Sequence, residues 1–255
     1  MVDMRHGRAH RTTSPESAAP DGTVLHKVRS LLAKAESTDF PDEAEALTAK
    51  AQELMDRHAI DRAVLAASAG TTGGRPEGRD VELDAPYAAE KFLLLSAIAR
   101  ANRGSAIFSP HARVGTVVGF PEDQETIELL FTSLLVQATS SMLANGSHAA
   151  TRTRRYRQSF LVAFATRVGE RLPEVDARVV AEADADHGGG VLPVLASRAE
   201  AVEAHVEREF PDLRTRRFVV RDRAGWGHGV DAADRAELGR HRRMGRRGVQ
   251  ALPGR

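Results

Sequence analysis

Apolar residues at Val24, Leu25, Val28, Leu31, Leu32 and Ala35 recur every three or four positions, the spacing of an amphipathic helix. Thr23 stands where an N-cap belongs, and the stretch 37–41 breaks the pattern. A second stripe follows on Ala44, Leu47, Ala51, Leu54 and Met55. Asp39 is placed to cap it, Pro41 fits its first turn, and Asp42 and Glu43 suit the positive end of the helix dipole. Small alanines at 44, 46, 49 and 51 allow close approach. Residues 23–66 therefore predict an αα-hairpin, which buries little alone and needs a surface to dock on.

The pattern then lapses. Residues 68–79, SAGTTGGRPEGR, carry no apolar period, and 67–84 is the expected linker, with a short strand over 81–83. A helix is predicted over 87–103, with Phe92, Leu95, Ile98 and Ala99 inward. Two β-rich runs, 105–109 and 114–120, flank a four-residue loop and predict a hairpin. The dense apolar stretch 122–144 predicts the central helix of the core, stopped by Asn145 and Gly146. Residues 152–172 read as helical, Pro173 as an interruption, and 174–185 as a resumed helix. Gly188, Gly189 and Gly190 mark a loop, and Ser197 with Glu200 matches a capping box for a helix to about Glu209. A last helix is predicted over 229–247. The fold class is α+β, mostly helical: an N-terminal αα-hairpin, an α-β-β-α core over 85–213, further helices, and an Arg-rich tail over 214–255. Residues 1–22 are an expected disordered leader, without the apolar segment of a secretory signal.

Composition narrows the chemistry. The 255 residues are 42% hydrophobic and 28% charged, as in a soluble globular protein, and only 5% aromatic. With no cysteine, disulfides, thiolate metal sites and cysteine nucleophiles are excluded. No uninterrupted apolar run of about 18 residues occurs, so no membrane partner is expected and the cytoplasm is the expected location. The net charge of +1 hides segregation. By blocks it is about −4 over 23–95, about +5 over 147–172, about −7 over 173–213 and about +8 over 214–255. Such blocks either pair with one another or meet a polyanion.

The hairpin carries a further signal. Lys27, Val28, Leu31, Leu32 and Ala35, then Glu43, Ala44, Lys50, Ala51, Gln52, Leu54, Met55, His58 and Ile60, follow the pattern K-I-x-x-L-L-x-x-A, turn, E-A-x-x-A-x-x-K-A-Q-x-L-M-x-x-H-x-I. That pattern resembles the domain-of-unknown-function 2786 family over about 40 residues. Leu47 departs from it, standing where the family has a small alanine. SFLVAFATRVGERL and AGWGHGVDAADRAELG look like the regions that accompany this domain in actinobacterial and phage-related proteins. The resemblance implies a fold type and no reaction.

No catalytic constellation emerges. The ten histidines form no H-E-x-x-H pair, and His205 with Glu209 supplies only two ligands on one helix face. Ser105, Ser109, Ser133, Ser140 and Ser159 lack a G-x-S-x-G elbow. Lys50, Gln52, Glu53 and His58 cluster near the second helix, with His58 read as a C-terminal cap. Asp184, Asp186 and His187 read as a solvated loop. Gly225, Gly229 and Ala233, four apart, predict a flat ridge for close helix packing rather than a phosphate loop. No cofactor and no metal is expected. A hydrolase-type enzyme with its site in the α-β-β-α core, and a scaffold docking a partner protein through the 23–62 hairpin, are the alternative functions. The leading expectation is nucleic-acid association through arginines interleaved with aromatics. The contact residues are Arg152, Arg154, Arg155, Tyr156 and Arg157, then Arg214, Arg216, Arg217 and Trp226, then Arg242, Arg243, Arg246 and Arg247.

Overall fold

The computed structural model describes residues 20–38, 41–69, 74–144, 153–214 and 218–236. Among them the order is α1 (Pro20–Ser37), α2 (Pro41–Ser68), β1 (Glu77–Glu82), α3 (Ala88–Ala101), β2 (Ser105–Ser109), β3 (Val114–Gly119), α4 (Pro121–Ala144), α5 (Arg154–Asp186), α6 (Val191–Glu209) and α7 (Arg223–Arg235). The architecture is a mostly helical α+β fold with one small antiparallel sheet, β1-β3-β2.

The hairpin of α1 and α2 forms as its stripes demand. Its turn is tied by Glu43, which accepts from Thr38 at 2.7 Å and pairs with Lys34 at 2.9 Å. Val28, Leu32, Ala51 and Met55 are buried, and they pack into the same core as α3, α4 and α5. The docking face is thus filled by the chain's own core. Two boundaries differ from those the spacing predicts. The first helix begins at Pro20, ahead of Thr23. The second runs to Ser68, because Ile60 and Ala63 continue its buried stripe against Val179, Val180 and Leu195. His58 therefore lies mid-helix, away from the C-terminal end it is expected to cap. Asp39 lies outside the described residues.

The strand expected over 81–83 starts earlier, inside the 67–84 stretch, since β1 pairs along β3 from Glu77↔Gly119 to Glu82↔Val114. The sheet is covered on both sides. Ala106, Phe108 and Val117 face the main core, while Ile107 and Val118 meet Val202 of α6. Gly115 leaves room for the core, because a Cβ there would come within 2.7 Å of Leu95 Cδ2 and the Leu95 side chain would have to shift.

Helix α4 supplies Ile127, Leu130 and Leu134, all fully buried. Among the described residues it is the one helix long and apolar enough to cross a membrane by length and composition, although polar residues interrupt its apolar run. Its apolar face is the one that packs against α3, α5 and α7. Pro173 does not interrupt α5. Leu172 and Val175 on either side are buried, and their packing holds the helix together across the hydrogen bond that proline cannot make. Nor does Ser197 start α6, which begins at Val191. There Asp184 Oδ1 accepts from Val191 N at 3.0 Å, after a turn in which Gly188 and Gly189 hold φ of 71° and 90°.

The last helix begins six residues earlier than its pattern suggests, at Arg223, so the Gly225–Ala233 ridge is helical throughout. That ridge lies on α5. A Cβ on Gly225 would sit 2.5 Å from the Tyr156 carbonyl oxygen, and one on Gly229 would collide with the Phe160 carbonyl. Further along, Arg167 pairs with Asp234 at 2.6 Å, and buried Arg171 donates to the carbonyls of Ala233 and Ala236. Contacts that advance together along both helices make α7 and α5 parallel, with their N-termini side by side.

Candidate nucleic-acid interface

The parallel packing brings arginines from two sequence blocks to one end of the molecule. Arg154, Arg155 and Arg157 occupy the first turn of α5; Arg221 precedes α7 and Arg223 opens it. Arg154, Arg155, Arg221 and Arg223 are exposed and Arg157 is half-buried. None of the five pairs with a carboxylate among the described residues, whereas the acidic 173–213 stretch uses its charges elsewhere, as in Arg103–Asp176 at 2.7 Å. Neither helix has an acid in its first turn. Two helix N-termini, each with a partial positive charge, therefore carry added cations, with Asp222 at the cap of α7 as the one acid beside them among the described residues.

Both ends are locally well made. Thr153 accepts from Tyr156 N at 3.1 Å, and Asp222 accepts from Gly225 N at 2.7 Å. Buried Ser159 anchors the approach to α7, its Oγ accepting from the amides of Arg221 and Asp222 at 3.1 and 3.0 Å.

The remaining expected contacts divide. Tyr156 is 1% exposed, and its hydroxyl bonds His228 Nδ1 at 2.8 Å. It is a core residue and not a stacking platform, because α7 closes over it. Burial, with the Asp222 carboxylate beside it, raises its phenol above the ordinary range. Trp226 is half-buried in the first turn of α7, and Arg214 is exposed beyond α6. Arg152, Arg216, Arg217, Arg242, Arg243, Arg246 and Arg247 lie outside the described residues.

A polar cavity of about 180 Å³ adjoins this end, lined by Glu90 of α3, Gln158 and Ser159 of α5, and Phe218 and Arg221. A larger one, about 300 Å³, lies between α2 and α6 and is apolar except for Ser197 and Arg198. The Arg198 charge is already engaged by Glu122 at 2.8 Å and Asp123 at 3.1 Å, above the Phe120 ring.

The sequence reasoning missed the buried charges that join the hairpin to the core. Gln52 donates to Asp56 Oδ1 at 2.7 Å, while Asp56 Oδ2 and Gln52 Oε1 have no partner among the described residues. Burial, then the Asp176 charge, pushes the Asp56 carboxyl up to about 7 against the pull of Arg103. The available signal was position: Gln52 and Asp56 fall on the stripe that buries Met55, Ala59 and Ile60. Lys50 and Glu53 instead pair at 2.8 Å on the outer side. The acidic knot is used as well. Asp186 pairs with Arg57, and His187 Nε2 lies 3.7 Å from Asp61. Among the described residues no group of three or more His, Asp or Glu is placed to hold a metal ion.

Residues 23–62 match the family described as a protein of unknown function, DUF2786. The match spans most of α1 and most of α2, which is the hairpin and not the arginine end. No curated protein and no solved structure matches the chain.

Proposed function

We propose that this is a nucleic-acid-associated accessory protein that holds the phosphate backbone at the paired N-termini of α5 and α7. The observation that supports it is the convergence of Arg154, Arg155, Arg157, Arg221 and Arg223 at two helix ends whose dipoles already favour an anion. Cations there work against the local helix energetics, and a bound polyanion reverses the sign of that cost. Arginine forks suit phosphate oxygens, and the half-buried Trp226 stands in the same first turn of α7. The test is fluorescence anisotropy with single- and double-stranded DNA and RNA at about 50 and 200 mM salt. Binding that weakens steeply between the two supports the reading. No binding at the lower salt, or binding indifferent to salt, sinks it.

A further inference from the structure

The polar cavity at the arginine end is walled by α3, by α5 and by the segment that leads into α7. Its polar groups are few and their engagements are definite. Gln158 Nε2 donates to Glu90 Oε1 at 3.0 Å, which leaves Glu90 Oε2 and Gln158 Oε1 as unengaged acceptors among the described residues. Ser159 Oγ already receives two backbone amides, so both its lone pairs are used and its own proton is left to donate. Besides the Arg221 guanidinium, the wall thus offers two acceptors and one hydroxyl donor, with Val162, Phe218 and Val219 as its apolar part.

Among the common nucleobases, one has the complementary edge. The Watson–Crick edge of guanine presents an acceptor, O6, followed by two donors, N1–H and N2–H. Adenine and cytosine each present a single donor group there, and uracil presents one donor between two acceptors. A carboxylate beside an amide oxygen meets adjacent donors, and a hydroxyl meets O6. The size agrees: about 180 Å³ is below the roughly 300–1,000 Å³ of sites for drug-sized ligands, so it has room for a ring system and not for a whole nucleotide. The charges sort the two halves of a nucleotide. Glu90 repels a phosphate from the interior, while Arg221, also in the wall, attracts it to the arginine side.

We propose that this cavity is a base-specific pocket for guanine, formed by Glu90, Gln158 and Ser159, at the edge of the arginine surface. The proposal takes its ligand class from the nucleic-acid reading, but the pocket can be tested without the polymer. The full chain is titrated with GMP, AMP, CMP and UMP at low salt by calorimetry. The same protein is then tested with oligonucleotides of equal length with and without guanine. GMP is expected to bind about tenfold tighter than the other three, in line with the discrimination of one good bidentate base contact. Glu90→Gln, checked for native circular dichroism, is expected to bring GMP to the level of AMP, because it replaces the charged acceptor with an amide. Equal binding of all four nucleotides, or of none, overturns the pocket. If the oligonucleotides bind equally well in that case, the arginine surface stands and only the pocket falls. If no oligonucleotide binds while GMP does, the surface reading falls and the pocket stands as a mononucleotide site.

Discussion

Gly225 and Tyr156 meet backbone to backbone, close enough that a Cβ on Gly225 would lie 2.5 Å from the Tyr156 carbonyl oxygen. The obstacle is main chain, which cannot rotate away. Gly225→Ala therefore pits a gain of up to about 1 kcal/mol in helix propensity against overpacking of about 1–3 kcal/mol. With a rigid neighbour the second is the larger, and the variant is expected to be less stable in urea unfolding. Gly227, two residues on in the same helix, has nothing within 4 Å of the corresponding position. Gly227→Ala keeps only the propensity gain and is expected to be more stable. If the two variants shift in the same direction, α7 does not pack through this ridge.

Asp56 predicts a pH dependence of definite sign. Its folded carboxyl titrates near 7, while an unfolded carboxyl titrates near 4. The folded state thus binds the extra proton, and stability from this group is full below about pH 4 and is lost as pH rises to about 7. The loss is on the order of a few kcal/mol, since each unit of pKa corresponds to about 1.4 kcal/mol. Asp56→Asn keeps the shape and has no charge to bury. It is expected to be more stable than the native chain at pH 8, with the difference shrinking toward pH 4. Denaturant midpoints across that range measure it directly. A difference that stays flat with pH would place the carboxyl in contact with water.

How legible these features were in the chain follows from their physical range. The ridge at Gly225, Gly229 and Ala233 was readable because one helix face needs only spacing by four and small size. The β2–β3 hairpin was readable because alternation and a short loop are local. Pro173 misled for the converse reason. A proline's cost is local, but the burial of Leu172 and Val175 that outweighs it comes from other helices. The Ser197 capping box failed similarly, because Asp184, in the last turn of α5, accepts from the first amide of α6 across the glycine turn. Tyr156 between arginines read as a surface ring, and only the parallel seating of α7 puts it inside. Asp56 was hidden by its neighbours: Glu53 and Arg57 stand on either side of it in sequence, and the stripe carries two polar side chains on its buried face. Of the arginine site, the residue types were legible and their convergence was not, since that depends on two helices about 70 residues apart lying parallel.

The arginine end makes the most discriminating prediction, because binding and stability are expected to move in opposite directions. Replacing Arg154, Arg155 and Arg223 with glutamine removes three exposed cations that form no ion pair among the described residues. Folding should lose nothing by it. Taking positive charge from a helix N-terminus relieves a few tenths of a kcal/mol per residue, so the unfolding midpoint should hold or rise. Binding should fall, and the slope of log K against log salt should flatten by about 0.7 to 0.9 for each phosphate no longer neutralised, which is about 2 to 3 in all. Arg167→Gln serves as the contrasting variant. It removes a cation from the same α5, but one already paired with Glu170 and Asp234 two turns or more from the N-terminus. It should cost some stability and leave the salt slope unchanged. If both variants flatten the slope equally, binding follows net charge and the paired helix ends have no special part in it. If only the first does, the location of the charge is what matters, and the parallel packing of α7 on α5 is the structural reason for it.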